Sequence, residues 1–187
     1  MIKRLLDLLI CFSLLLVLAV PLLVIALLVK ATSPGSVLYW SRRVGKENVI
    51  FPMPKFRTMF TGTPEVATHL LRNADLCFTP LGSFLRKYSI DELPQLLSVI
   101  KGDMSLVGPR PALYNQDDLI ALRTARNIHH LLPGVTGWAQ IHGRDEVSIP
   151  EKVAFDEYYF CHRSLLMDVN ILWCTVFKVV KKEGVAH

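Results

Sequence analysis

The first thirty residues and the rest of the chain are patterned differently. From Leu5 to Val29 every residue is apolar except Asp7, Ser13 and Pro21. A helix over this run is roughly 37 Å long, enough to cross the hydrocarbon core of a bilayer. The run also exceeds the roughly 7 to 15 apolar residues of a cleaved signal peptide. Pro21 lacks an N–H and predicts a break or kink inside the helix. Cations flank both ends: Lys3 and Arg4 before the run, Lys30, Arg42 and Arg43 after it. Because cationic flanks favour the cytoplasmic side, two arrangements stay open: a spanning helix, and one that turns back near Pro21 to the same face. The second requires polar partners for the backbone groups freed at the break.

Beyond Thr32 the pattern shortens. Val37–Arg43 and Val49–Arg57 flank a Gly45–Asn48 turn and predict a β-hairpin, with Pro52 and Pro54 weakening its second strand. Thr61–Pro64 reads as a loop. Helices are expected over Glu65–Ala74, Leu81–Lys87, Ser89 to Gly102, Asp117–His130 and Pro150–Cys161. "GDMSLVGPRP" (Gly102–Pro111) and "PGVTGWAQIHGR" (Pro133–Arg144) read as shaped loops and turns. A last helix, capped by Asp168, carries Val169, Ile171, Leu172, Trp173, Val176, Phe177, Val179 and Val180, with Lys178, Lys181 and Lys182 at its end. Such a helix can lie in the headgroup region or in the core. The fold expected is mainly helical α+β, with a membrane helix over 1–32 and one small domain over 33–187 carrying a hairpin and interfacial amphipathic helices.

Composition adds to this picture. Apolar residues make up 51% of the 187 positions, and the net charge is +5. That charge suits nucleic acid, an anionic membrane face or a phosphorylated substrate. Cys11, Cys77, Cys161 and Cys174 have no CxxC spacing, so neither a disulfide framework nor a zinc site is expected. The six histidines form no spaced ligand set. His129 and His130 are adjacent, and on a helix they would point roughly 100° apart rather than chelate together.

The candidate chemistry lies in Arg86–Pro94, "RKYSIDELP". With Ser89 as N-cap, Glu92 falls at the third helical position and completes a capping box. Asp91, in the first turn and preceded by Arg86 and Lys87, should be ionised. An ionised, positioned aspartate can attack a phosphoryl group or hold Mg²⁺, and Glu92 can share the metal or act as a base. Lys55 and Arg57 in "KFRTM", Arg110 between two prolines, and Arg144 after Gly143 could hold a diphosphate.

Taken in order, "KFRTM", "LRKYSIDELPQLLSVIKGDMSLVGPRP", "PGVTGWAQIHGR" and "DEYYF…SLLMDVNIL" closely resemble the bacterial sugar transferase family, the monotopic phosphoglycosyl transferases that begin glycoconjugate assembly. The similarity covers essentially the whole chain and implies a short, minimal member. It implies transfer of a sugar-1-phosphate from a UDP-sugar to polyprenyl (undecaprenyl) phosphate with release of UMP, using Mg²⁺. It implies Asp91 as covalent nucleophile in a ping-pong reaction, Glu92 as its partner, both near the metal. Lys55, Arg86, Arg110 and Arg144 match the family's functional cations. It further implies a re-entrant membrane helix and a catalytic domain on the cytoplasmic face of the bacterial inner membrane, among its lipids and without nucleic acid. One departure concerns the helix break, where Val20-Pro21 replaces the frequent Ser-Pro and offers no hydroxyl to a freed carbonyl.

Two rival readings are a membrane-tethered basic binding protein without catalysis and a Mg²⁺-dependent membrane phosphohydrolase. Tyr114, Asn115 and His142 lie in segments that could shape a sugar pocket. Neither the sugar nor the oligomeric state is written in these motifs.

Overall fold

The computed structural model describes residues 2–64, 74–143 and 147–181. Helix α1 runs over Ile2–Thr32. Strands β1 (Leu38–Val44) and β2 (Ile50–Phe56) form the hairpin, with a 3-10 turn at Lys46–Asn48 between them. A 3-10 turn at Ala74–Cys77 and helix α2 (Gly82–Lys87) follow. A 3-10 segment at Ile90–Gln95 leads into α3 (Leu96–Lys101) and then β3 (Ser105–Val107). Helix α4 (Asp117–Ala125), a 3-10 turn at Ile128–His130, β4 (Gly134–Thr136), α5 (Trp138–His142), α6 (Ile149–His162) and α7 (Leu165–Lys181) complete it.

The hairpin tolerates its prolines because of register. Gly45 N donates to Val49 O and Arg57 N to Val37 O, which makes every second pair between them hydrogen-bonded. Pro52 opposite Arg42 and Pro54 opposite Trp40 fall on the intervening pairs, where the missing N–H would have pointed away from β1. The alternation sends Phe51 and Met53 into the core and carries Lys55 on the same face.

One core joins Phe51 and Met53 to Leu96, Val99, Met104, Leu106, Val107, Ile141, Tyr159 and Ile171, and α1 contributes Cys11 to it. Val29, near the other end of α1, packs with Phe56 and Leu85. Polar contacts fasten the same helix. Ser105 Oγ donates to Asp7 at 2.7 Å, and Arg4 donates to the carbonyls of Val99 and Ile100. Asp168 accepts from Lys3 at 2.7 Å and from the Tyr159 hydroxyl at 2.6 Å. Between these anchorages Leu16, Val17, Val20 and Leu23 stand exposed. By length and composition α1 can cross a membrane, and its bare apolar middle is consistent with membrane association.

Several expectations are corrected. Helical structure continues through Pro21 without the expected break, since one lost backbone bond does not end a 31-residue helix. The two Gly/Pro-rich stretches contain β3 and β4, paired in parallel with Ser105 opposite Gly134 and Val107 opposite Thr136. The second stretch also contains α5. A Cβ on Gly108 would lie 2.4 Å from Leu132 O, and one on Gly134 would lie 2.1 Å from Gly108 N. These glycines therefore serve close backbone approach. The helix expected over 117–130 is interrupted at Asn127, which has φ 60. Asp168 does not cap α7: that helix begins at Leu165, and Ser164 Oγ accepts from Met167 N. The expected helix 65–74 lies almost wholly outside the described residues. His129 and His130 do not splay apart; on their tight turn the ring centroids are 3.9 Å apart.

Helix α7 reconciles the two readings of the last segment. Ile171 is fully buried, while Leu166, Val169, Trp173, Val176 and Phe177 form an exposed stripe at helical spacing.

Candidate active site

The acidic pair sits at a conformational irregularity. Ser89 has φ 54 and makes no side-chain cap, so the expected capping box does not form, and Ile90–Gln95 takes 3-10 rather than α geometry. The helix expected from Ser89 is thus two pieces, and it stops as expected at Gly102, with φ +101. The tight turn packs against β2 and sends Asp91 and Glu92 into the protein.

Adjacent in sequence, the two carboxylates have different surroundings. Glu92 Oε1 accepts from Lys55 Nζ at 2.7 Å and from Arg110 at 2.6 Å, and Oε2 accepts from Arg110 at 3.2 Å. Burial opposes its charge, yet Arg110 and Lys55 outweigh burial and hold its carboxyl well below the usual range. Among the described residues, Asp91 accepts no side-chain hydrogen bond, although it is only 6% exposed. Burial pushes its pKa up to about 6, with Lys55 opposing and the Glu92 charge assisting. The shift is opposite in sign to that expected for a first-turn carboxylate; burial exceeds the field of a short 3-10 turn. Lys55 is itself pulled below the usual lysine range by burial, against the Glu92 charge.

The predicted cations divide. Lys55, from the inner face of β2, and Arg110, from the loop after β3, converge on Glu92. Arg86 ends α2, reaches Met59 Sδ at 3.6 Å, lies over the Phe78 ring and contributes to the field at Asp91. Arg57 points elsewhere. It donates to Pro34 O at 2.7 Å and Ser36 Oγ at 2.6 Å, clasping the linker that leaves α1. Gly35, with φ +112, passes so close that a Cβ there would lie 2.0 Å from the guanidinium. Arg144 lies outside the described residues. Tyr114 stacks under Arg42, and His142 lies against Trp138.

Sequence reasoning missed the support behind Arg110. Arg123 of α4 donates through Nε (2.9 Å) and a terminal nitrogen (2.6 Å) to Asp156 of α6, and donates to the main-chain carbonyl of Arg110 at 2.8 Å. Its signal was an arginine on the same helix face as Leu119, four residues earlier, which is buried.

The donor set fits a magnesium ion. Glu92 uses three of about four lone-pair positions and Asp91 none among the described residues, so hard oxygen donors remain on adjacent residues.

The family model for bacterial sugar transferase matches residues 1–182. The uncharacterized sugar transferase EpsL of Bacillus subtilis is 41% identical over 98% of this chain and 89% of its own length. The undecaprenyl-phosphate galactose phosphotransferase of Salmonella typhimurium is 34% identical over 97% of this chain and 41% of its own length. The UDP-glucose:undecaprenyl-phosphate glucose-1-phosphate transferase of Escherichia coli is 38% identical over 95% of this chain and 40% of its own length. The chain thus spans most of one curated relative and less than half of two longer ones, in each case along nearly its own full extent. Matched over almost all its residues by that model and by relatives of 34% to 41% identity, the chain belongs to the bacterial sugar transferase family.

Proposed function

We propose that this protein transfers a sugar-1-phosphate from a UDP-sugar to undecaprenyl phosphate, releasing UMP, through a covalent phosphosugar on Asp91. The names of its relatives support the general reaction. The observation that carries the assignment of roles is the contrast within the acidic pair: Glu92 is occupied by Lys55 and Arg110, while the buried Asp91 carboxylate accepts no side-chain hydrogen bond among the described residues.

An Asp91 oxygen attacks the β-phosphorus of the donor. The bond from that phosphorus to the bridging oxygen breaks, and UMP leaves with the electron pair. An oxygen of the lipid phosphate then attacks the same phosphorus, forming the lipid diphosphate-sugar and returning the Asp91 carboxylate. Lys55 and Arg110, held rigid by Glu92, present positive charge where charge builds on the leaving phosphate. When bound by Asp91 and Glu92, Mg²⁺ would neutralise part of the diphosphate charge.

The membrane arrangement we infer is monotopic, on the cytoplasmic face. Lys3, Arg4 and Asp7 at one end of α1 and Val29 and Lys30 near the other all contact the globular domain or the linker entering it. A helix crossing the bilayer would separate its ends by about 30 Å of hydrocarbon and leave one of these sets without its partners. A continuous helix that stays within one leaflet, both ends at the same face, keeps both sets without a break at Pro21, and it would hold Asp91 near the depth of a lipid phosphate.

The test uses the purified chain, Mg²⁺ and a UDP-sugar labelled on the β-phosphate, with no lipid. The expected result is about one equivalent of UMP and label on Asp91, both lost in Asp91→Asn. Normal turnover with lipid but no adduct would refute the covalent route. Continuous release of sugar phosphate without lipid would identify a hydrolase instead.

A further inference from the structure

The turn end of the hairpin holds a second constellation, remote from the acidic pair. Glu47 lies in the β1–β2 turn, and His129 and His130 lie in the 3-10 turn after α4. One ligand atom from each falls within 4.8 Å of the other two. His130 Nδ1 is 3.0 Å from both Glu47 oxygens, and His129 Nε2 is 3.9 Å from Oε2. Ligand atoms on a tetrahedral zinc ion stand about 3.3 Å apart, so these separations bracket the spacing that such an ion imposes.

The turn geometry and the ring packing gather the three side chains. Glu47 and Asn48 have φ of 56 and 58, the left-handed conformation that a tight hairpin turn requires. Asn48 supplies one restraint, donating from Nδ2 to Thr124 Oγ1 at 3.0 Å. That conformation directs Glu47 at the histidines. The imidazole rings themselves are only 3.9 Å apart. Two protonated imidazoles would repel at this distance, whereas a bound cation requires both neutral.

We propose that Glu47, His129 and His130 bind a borderline divalent transition ion of the zinc class, with the fourth position open to water. Two imidazoles and one carboxylate suit zinc, cobalt or nickel and are poorly suited to magnesium. The site is separate from the chemistry: from Ile50 to Lys55 alone the strand runs about 17 Å away from this turn. Its effect is to tie the hairpin turn to the end of α4, the helix whose Arg123 supports Arg110.

The test titrates zinc into the full-length, chelator-stripped chain in detergent, with its four thiols alkylated, and repeats the titration with cobalt. The expected result is uptake of one ion without thiolate absorption in the cobalt spectrum. A rise in melting temperature should accompany it, and millimolar Mg²⁺ should not displace the ion. Glu47→Gln and His130→Gln, both at exposed positions, should each weaken binding by about tenfold or more. His129→Ala should abolish it. No stoichiometric uptake, or uptake unchanged in Glu47→Gln and His130→Gln, would overturn the proposal.

Discussion

Arg123 donates to the main-chain carbonyl of Arg110 at 2.8 Å, so a buried side chain of α4 holds the backbone from which Arg110 reaches Glu92. The same guanidinium is paired with Asp156, which is only 1% exposed. An ammonium has no planar fork and cannot reproduce both sets of contacts. Arg123→Lys should therefore keep the fold and lower kcat for UMP release by about tenfold. Arg123→Met should leave Asp156 charged and unpaired and cost about 3 to 5 kcal/mol of stability. Steady-state kinetics with thermal melts separate the two; unchanged kcat in folded Arg123→Lys would deny this contact a positioning role.

Because the proposed nucleophile must be ionised, its raised pKa sets an acid limb. Asp91 titrates at about 6, so log kcat/KM should rise with unit slope below that pH and level off above it. A limb near the ordinary carboxylate value would mean that burial is relieved when donor binds.

Glu92→Gln tests the division of labour within the pair. The amide retains one acceptor oxygen but loses the charge that holds Lys55 and Arg110. Activity should fall by about a hundredfold. The direction of the pH shift is more diagnostic. The Glu92 charge raises the Asp91 pKa, and Lys55 and Arg110 lower it. Removing that charge, and releasing both cations toward Asp91, should move the acid limb of the residual activity to lower pH. A move to higher pH would contradict the electrostatic account.

Asp7 is the one charge within the apolar run, and it is buried against Ser105 rather than aimed at lipid. Ser105→Ala leaves that carboxylate without its hydroxyl and should cost about 1 to 3 kcal/mol. Co-sedimentation with vesicles should be unchanged, because the exposed apolar face of α1 is untouched. Loss of vesicle binding would mean that this contact orients the helix toward the membrane rather than toward the domain.

What could be read from the sequence follows from the range of each signal. The hairpin was legible because Gly45–Asn48 divides two strands of seven residues, long enough for their pattern to register. Strands β3 and β4 have three residues each, beside glycines whose role is backbone approach, and no periodicity survives at that length. Lys55 and Arg110 were found by residue type, but their meeting on Glu92 depends on β2 and the β3 loop coming together in space. Glu92 resembled a capping residue because spacing alone does not reveal that Ser89 is left-handed. Arg57 shares its motif with Lys55, yet two residues along the strand are enough to carry it to the α1 linker instead.

The strain at Asp91 should be measurable as stability. Its pKa is about 6 in the folded protein and 3.8 when solvated. The unfolded chain therefore ionises first, and the fold loses stability as pH rises from about 4 to about 6, with the full penalty present above. A shift of about two units corresponds to roughly 3 kcal/mol. Asp91→Asn removes the ionisation while keeping the side chain's shape, so it should melt at a higher temperature than the parent at pH 8. At pH 4, where the parent's Asp91 is also neutral in the folded state, the difference should vanish. Equal melting temperatures at pH 8 would show that Lys55, Arg86 and Arg110 already compensate the charge, and the acid limb in the rate profile would then need another origin.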